Sequence, residues 1–287
     1  MTVETPPPHG GVFVDGRETD NRLTEQTKIL FIGDIIGRPG RIAARELLPR
    51  IVGAHSPDCV IANGENAAGG FGITTDIARE LHKLQIDVIT SGNHVWDKKE
   101  IYDYLRDSRT LIRPANYPPG APGRGETVFE CASGAKVGVL NLIGRVFMDN
   151  LDCPFRAGRE AVARLRETTP IILVDMHAEA SSEKAALGHF LDGTVSAVIG
   201  THTHVQTSDE RLLANGAAFI TDAGMTGATD SIIGMRKDEI ITRFLTQLPV
   251  KFDVATKDVE LQGVVVTVNN RDGRAVRIER IKQRVGE

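Results

Sequence analysis

The stretch KILFIGDIIGRPGRIAARELLPRIV (28–52) decides the fold class, because it joins a short apolar run to a segment with helical spacing. KILFIG (28–33) is long enough for one buried strand and ends at a glycine, and RIAARELLPRIV (41–52) places its apolar residues on one face. Two further units repeat this order: DCVIAN (58–63) with TTDIARELHKL (74–84), and IDVITSG (86–92) with a helical segment from about Asp97 to Arg106. The segment 74–84 has helical spacing behind a threonine, which predicts a threonine cap at its start. Strands that alternate with helices predict a parallel sheet covered by helices.

The second half of the chain follows a different pattern. TVFECASGAKVGVLNLIG (127–144) has the pattern of two strands joined at Ser133-Gly134, which is a hairpin signal. The elements expected next are a helix at 158–168, the run IILVDMH (171–177), a helix at 181–191, and the runs VSAVIGTH (195–202) and AAFITDAG (217–224). The tail from Phe252 alternates apolar and polar residues around an Asn-Arg-Asp-Gly turn, which predicts antiparallel strands.

These patterns predict an α/β protein with two mixed sheets packed face to face and helices outside. We expect a single domain over 27–287. Residues 1–26, which are rich in proline, glycine and charge, are expected to form a flexible N-terminal extension.

The composition excludes several classes of protein. A formal charge of −4 and a pI near 6.1 give no basic footprint for duplex nucleic acid. The three cysteines lie far apart and form no CxxC pair, so they suit a reduced, cytoplasmic protein rather than a disulfide scaffold. No apolar run reaches the roughly 18 residues of a membrane span, and the N-terminus lacks the pattern of a secretory signal. We therefore expect a cytoplasmic protein with no membrane partner.

Polar side chains follow the predicted strands. In open α/β sheets, ligands gather at the carboxyl ends of the strands, so these residues are candidates for a site. Five chain segments contribute: Asp34; Asn63, Glu65 and Asn66; Asn93 and His94; Asp175 and His177; and His202 and His204 of VIGTHTHVQT (198–207). If this last stretch is extended, its two histidines point the same way, because side chains at i and i+2 share a face of a strand.

Carboxylates, amide oxygens and imidazoles together are ligands for Mn, Fe, Zn or Mg. There are more of them than one tetrahedral site needs, and a two-metal centre for phosphoryl transfer uses about this number. Each residue alone has a simpler interpretation: Asp34 as a turn cap, Asn66 as a left-handed turn residue, His177 as an interior histidine, and Asp175 as a structural residue or a support for the ligands. No structural need, however, calls for HTH, GNH and GEN in one sheet, so the joint pattern favours a metal site.

With these residues in view, the chain resembles the calcineurin-like metallophosphoesterases. GNH (92–94) matches that superfamily's pattern outright, His177 supplies its lone histidine, and GTHTH (200–204) matches GHxH with one residue inserted. Two departures, Ile36 in place of a histidine and GEN (64–66) in place of a GD motif, resemble one branch, the bacterial YmdB-like phosphodiesterases. The resemblance runs from about residue 28 to the C-terminus.

The resemblance implies a four-layer α/β/β/α sandwich that carries two divalent metals, Fe or Mn first and Zn or Mg as alternatives. It implies that Asp34, Glu65, Asn66 and His204 hold one metal and that Glu65, Asn93, His177 and His202 hold the other, with Glu65 bridging. It assigns to His94 the role of general acid, while a metal-bridging hydroxide attacks the phosphorus.

The implied substrates are small phosphodiesters, above all 2′,3′-cyclic nucleotides opened to the 3′-monophosphate. A homo-oligomer would fit this branch. Arg38 and Thr226 are expected at the rim as substrate-binding residues. Thr226 belongs to the glycine-rich segment 224–235, which is expected as a loop that either contacts the ligand or is an ordinary surface loop. Phe71 either stacks on a base or packs inward. Two alternatives stay open: a phosphomonoesterase or protein phosphatase on the same metals, and a regulatory protein that senses a nucleotide and hydrolyses it slowly.

Overall fold

The computed structural model describes residues 25–286. The proposed extension therefore lies almost wholly outside the described residues, and Gln26, which was assigned to it, already belongs to the first strand. The division into an extension and a single domain stays a prediction.

The strands are β1 (Gln26–Ile32), β2 (Asp34–Ile35), β3 (Cys59–Asn63), β4 (Val88–Thr90), β5 (Glu126–Glu130), β6 (Lys136–Ile143), β7 (Ile171–His177), β8 (Ala197–Thr201), β9 (Arg211–Leu212), β10 (Ala218–Ile220), β11 (Met225–Ala228), β12 (Val259–Asn269) and β13 (Ala275–Arg284). The helices are α1 (Gly37–His55), α2 (Thr75–Lys83), α3 (Ile101–Asp107), α4 (Pro154–Arg166), α5 (Ser181–Leu191) and α6 (Lys237–Thr246), with a 3₁₀ turn at Asn93–Trp96.

Both sheets are mixed. In the first, of seven strands, the order is β2-β11-β12-β1-β3-β4, and β13 pairs with β12. Its β1, β3 and β4 run parallel, with Ile29 opposite Cys59, while β12 runs antiparallel to its neighbours. In the second, of six strands, the order is β5-β6-β7-β8-β10-β9, and the four central strands are parallel.

Three apolar cores separate four layers. In β1, Phe31 belongs to the core between the sheets, whereas its neighbour Leu30 belongs to the core beneath α1 and α2. In β7, Leu173 belongs to the core between the sheets, whereas Val174 belongs to the core beneath α4 and α5. Strands buried on both faces are continuous apolar runs, which is why the sequence shows them as uninterrupted stretches. The predicted α/β/β/α sandwich is therefore confirmed.

Several local predictions are also confirmed. The hairpin at Ser133-Gly134 joins β5 to β6, and the tail forms the antiparallel pair β12–β13. Thr74 caps α2, because its hydroxyl accepts a hydrogen bond from the backbone N–H of Ile77.

The structure differs from the predictions in two places. The helical segment predicted from about Asp97 to Arg106 is shorter than expected: a 3₁₀ turn at Asn93–Trp96 precedes it, and α3 begins only at Ile101. Residues 224–235, expected as a surface loop, begin with the buried strand β11, which pairs with both β2 and β12. The glycines of this segment kept the strand from being recognised in the sequence, because glycine is depleted in strands. Where glycine does occur in a strand, it marks a close approach of another backbone segment.

Candidate metal centre

The polar residues of the site continue the inward-facing rows of the strands. In β7, Ile171 and Leu173 face the other sheet, and Asp175 and His177 extend the same row to the strand's end. Buried polar residues end the inward rows of three further strands in the same way, Asn63, Thr90 and Thr201, and Asn141 lies in the inward row of β6, one position before the end of that row. The inward-facing rows of side chains that form the core between the sheets therefore all become polar at the same edge of the sheets.

Asp175 links the two sheets beneath the site. Its Oδ2 accepts hydrogen bonds from Thr90 and from Nδ2 of Asn63 at 3.0 Å, and its Oδ1 accepts one from Thr201 at 2.6 Å. Burial, which outweighs these contacts, raises the pKa of Asp175 to about 6. This position matches the supporting role that the sequence analysis left open for Asp175.

Four of the predicted ligands converge on one point. Nε2 of His177 lies 3.1 Å from Oε1 of Glu65, 3.0 Å from Oδ1 of Asn93 and 3.1 Å from Nδ1 of His202. Glu65 and His177 are fully buried, and His202 is only partly exposed. The ligand atoms of Glu65, His177 and His202 lie within 4.8 Å of one another, so this buried group could bind a metal ion.

The other three predicted ligands form a second group beside Glu65. Nδ2 of Asn66 lies 3.0 Å from Oε1 of Glu65 and 3.3 Å from Nε2 of His204, which is itself 3.9 Å from Oδ1 of Asp34. The structure thus brings all seven predicted ligands together, and Oε1 of Glu65 contacts members of both groups.

Two buried oxygens in this cluster have no hydrogen-bond partner among the described residues, Oδ1 of Asp34 and Oδ1 of Asn66. An unpaired buried acceptor is costly, so such atoms call for an explanation. A divalent cation satisfies both, because carboxylate and amide oxygens are ligands for it.

Each of the three histidines has a partner for the ring nitrogen that faces away from the cluster. Nδ1 of His177 lies 2.9 Å from the hydroxyl of Thr201, Nδ1 of His204 lies 3.0 Å from the carbonyl of Ile233, and Nε2 of His202 lies 3.1 Å from Oε2 of Glu179. Metal-binding histidines characteristically donate their outer N–H to such a group, which leaves the other nitrogen free to bind. The donor set therefore fits a metal centre.

Charges within the cluster shift its pKa values. Burial alone would raise the pKa of Glu65, but His177 and His94 outweigh it and lower this pKa to about 2. Burial alone would lower the pKa of His177, but the carboxylate of Glu65 outweighs it and raises this pKa to about 9. Burial and the neighbouring His177 lower the pKa of His202 to about 3. Without a metal, protonated His177 therefore forms an ion pair with ionised Glu65.

The turn that carries His202 and His204 differs from the prediction. β8 ends at Thr201, and both histidines have positive φ angles, 95° and 63°. The i, i+2 rule for strands therefore does not apply, and it is the turn that brings both imidazoles into the cluster. Such backbone conformations cost on the order of 1–3 kcal/mol each and persist where their surroundings hold them.

A fully buried ion pair holds this turn. Nζ of Lys184 lies 2.8 Å from Oδ2 of Asp222, and the same oxygen accepts hydrogen bonds from the backbone N–H and the hydroxyl of Thr203 at 3.1 and 2.7 Å. Thr203 lies between the two histidines. Neither Lys184 nor Asp222 was predicted from the sequence. For Lys184, the one available signal was a charged residue on the core face of a helix.

His94 lies at the mouth of the centre. Its Nδ1 lies 2.9 Å from Oδ2 of Asp97, its backbone N–H donates to Oε2 of Glu65, and its ring meets that of Phe71 edge to face at 5.1 Å. The pocket above has a volume of about 360 Å³. Its lining includes Glu65, Asn66, His94, Glu179, His202 and His204, with an apolar wall of Ile233, Met235, Ile240 and Phe252 opposite Phe71.

The two predicted substrate-binding residues lie elsewhere. Arg38 is exposed in the first turn of α1 and is not among the residues that line this pocket. Thr226 is fully buried in β11, with its hydroxyl 3.4 Å from the carbonyl oxygen of Gln262. Its position contradicts the prediction that it lies at the rim, because the segment forms a buried strand and not a loop.

The family model of YmdB-like proteins matches residues 30–281. This chain belongs to the YmdB-like family. A 2′,3′-cyclic-nucleotide 2′-phosphodiesterase of Bacillus subtilis is 50% identical over 254 residues, which cover 88% of this chain and 96% of that protein.

Two solved structures share the fold of this YmdB-like chain. One is a hypothetical protein from Thermus thermophilus, with a TM-score of 0.84 and 42% identity over 90% of this chain and 99% of that one. The other is a phosphatase from Mycoplasma pneumoniae, with a TM-score of 0.84 and 31% identity over 90% and 94% of the two chains. Within the described residues, none of the helices is both long and apolar enough to cross a bilayer.

Proposed function

We propose that this protein is a metal-dependent phosphodiesterase that hydrolyses small phosphodiesters, with 2′,3′-cyclic nucleotides as its preferred substrates. The observation that carries the proposal is the convergence of seven carboxylate, amide and imidazole side chains from five chain segments beneath one open pocket. The identity with the Bacillus subtilis phosphodiesterase supports the reaction and the substrate.

Two divalent ions fit the donor set. Asp34, Glu65, Asn66 and His204 would hold one ion, and Glu65, Asn93, His177 and His202 would hold the other. Mixed nitrogen and oxygen donors suit Fe or Mn first, with Zn or Mg as alternatives. When bound, such ions supply a water of lowered pKa and neutralise charge on the phosphoryl oxygens.

His94 would protonate the leaving alkoxide. An imidazole can carry and release a proton near neutral pH, and general acids of this kind contribute roughly 10²–10⁴-fold to the rate. The contact with Asp97 orients the ring through Nδ1, so that Nε2 is free to face a substrate. Its position at the pocket mouth, in contact with Glu65 only through its backbone, separates it from the ligands.

The pocket suits a nucleoside ester. Its volume of about 360 Å³ lies in the range of small-molecule sites. The apolar wall of Ile233, Met235, Ile240 and Phe252 offers a surface for a base, while the polar floor beside Glu65 takes the phosphate.

The test is hydrolysis of 2′,3′-cyclic AMP, 3′,5′-cyclic AMP, bis-p-nitrophenyl phosphate and p-nitrophenyl phosphate by the Mn²⁺- or Fe²⁺-loaded protein. We expect 3′-AMP from the first substrate, preference for diesters over the monoester, and loss of activity with chelator or in Glu65→Gln. Preference for the monoester would establish the phosphatase alternative. Tight nucleotide binding with negligible turnover would establish the sensor alternative.

The role of His94 has its own test. In His94→Ala, turnover of 2′,3′-cyclic AMP should fall roughly 10²–10⁴-fold while the metal content stays at the wild-type level. The loss on bis-p-nitrophenyl phosphate should be much smaller, because p-nitrophenolate leaves without a proton. Equal losses on both substrates, or loss of metal, would remove His94 from this role.

A further inference from the structure

We infer that the carboxylate of Glu179 makes this pocket selective for phosphate esters with one negative charge and disfavours dianionic monoesters. The inference rests on the proposed function, because it assigns a charge preference to the same phosphate site.

Glu179 holds a fixed place at the rim of the metal centre. It follows β7, lines the pocket and keeps about half of its side chain exposed, at 49%. One of its oxygens, Oε2, lies 3.1 Å from Nε2 of His202, whose other nitrogen faces His177. The ring of His202 therefore lies between the carboxylate and the ligand cluster, and it holds the negative charge beside the space that a bound phosphate must enter.

Apart from the proposed metal ions, the pocket lining supplies, within the described residues, no permanently charged cation to offset this charge. The side chains that line it, all within the described residues 25–286, include no lysine or arginine. Sites that bind phosphate dianions usually supply such cations, often as a bidentate arginine. Here the wall opposite the centre is apolar instead, with Ile233, Met235, Ile240 and Phe252.

The two substrate classes differ by one charge. A phosphodiester is a monoanion, whereas a monoester is mostly a dianion above its second pKa of about 6. One extra unit charge at about 8 Å from a carboxylate changes an equilibrium by about twofold to thirtyfold for effective dielectric constants of about 80 to 20. Glu179 therefore disfavours the monoester, which is also the product of the diesterase reaction, and so promotes product release.

The experiment compares Glu179→Gln with the wild type and with Glu179→Asp, which keeps the charge. The kcat/KM values for p-nitrophenyl phosphate and bis-p-nitrophenyl phosphate are measured at about pH 8 with Mn²⁺. A second readout, independent of turnover, is calorimetric binding of methyl phosphate and dimethyl phosphate. In Glu179→Gln, we expect the monoester-to-diester ratio of kcat/KM to rise about fivefold or more, and methyl phosphate to bind more tightly relative to dimethyl phosphate by a similar factor. The ratios in Glu179→Asp should stay near those of the wild type.

The outcomes separate this inference from the proposed function. If Glu179 only orients His202, both substrates lose the same factor in Glu179→Gln, the ratio stays constant, and the inference is overturned. If the wild type hydrolyses no diester, the proposed function fails, and the binding comparison still decides the charge preference. Should Glu179→Gln fail to fold, as thermal unfolding would reveal, Glu179→Ala provides a second neutral side chain for the same comparison.

Discussion

The hydroxyl of Thr201 lies 2.9 Å from Nδ1 of His177 and fixes which nitrogen of that ring faces the ligand cluster. Thr201 donates its own hydrogen to Asp175, so its oxygen must accept the hydrogen of His177 Nδ1. Nε2 is thereby left facing Glu65, Asn93 and His202. The orientation of a predicted metal ligand is thus set by a residue that touches no metal.

Thr201→Val removes this hydroxyl while keeping nearly the same shape. We expect a roughly 10–100-fold loss of Mn²⁺ affinity, since partners of metal-binding histidines typically contribute that much. Calorimetric titration of the metal-free protein measures it. Thr90→Val is the matched control, because Thr90 also donates to Asp175 but has no contact with His177. Equal losses in both variants would assign the effect to Asp175 instead.

Much of this centre could be predicted from the sequence, and the reason is physical. Strands that are buried on both faces give continuous apolar runs, so their polar ends stand out, as Asp34 and His177 do. Parallel strands bring those ends to one edge of a sheet, which predicts that the residues meet. The seven predicted ligands do lie together.

The supporting residues could not be found in the same way. Lys184 and Glu179 lie on or beside α5, and their roles depend on which strands α5 packs against, which no local pattern shows. Thr226 was misplaced because the glycines of 224–228 resemble a loop, while the pairing of β11 with β2 and β12 is a long-range property. The helix α6, which carries Ile240 of the pocket wall, has most of its other apolar residues exposed, and it was not predicted.

Gly92 is the glycine whose replacement should damage the site most directly. A Cβ at this position would lie 2.2 Å from Cδ2 of His177 and 2.4 Å from Oε2 of Glu65, so the ring and the carboxylate must move. We expect Gly92→Ala to fold but to lose Mn²⁺ binding and diesterase activity together. Gly53→Ala is the control, since a Cβ at this position would have no atom within 4 Å. Alanine also stabilises a helix by about 1 kcal/mol relative to glycine. Wild-type metal binding in Gly92→Ala would contradict the close packing described.

The buried pair of Lys184 and Asp222 should contribute to both stability and metal binding. Lys184→Met leaves an uncompensated buried carboxylate, which costs about 3–5 kcal/mol of the free energy of unfolding. Urea denaturation with chelator measures this loss. Because Asp222 also holds Thr203, Mn²⁺ affinity should fall as well. The control is Arg164→Met, which breaks the more exposed pair with Glu126 and should cost less than about 1 kcal/mol. A similar cost in both variants would contradict this account.

The pair of Glu65 and His177 gives the metal-free protein a defined pH dependence. The folded pKa of His177 is raised to about 9 from an ordinary 6.5. The contribution of His177 to the free energy of unfolding is therefore fully present below about pH 6.5 and is lost as the pH rises through about 9. The folded pKa of Glu65 is lowered to about 2 from 4.5. Its contribution to the free energy of unfolding is therefore present above about pH 4.5 and is lost as the pH falls through about 2. The pair therefore stabilises most between about pH 4.5 and 6.5.

We expect the metal-free protein to lose up to about 3 kcal/mol of its free energy of unfolding between pH 6.5 and 9.5, as measured by urea denaturation with chelator. A metal that binds Nε2 of His177 must displace its proton, so Mn²⁺ affinity should rise over the same interval and level off above about pH 9. With saturating Mn²⁺ the stability loss should disappear, because the metal then takes the place of the proton beside Glu65. An equal decline with and without Mn²⁺ would show that another group titrates, and that His177 does not bind the metal.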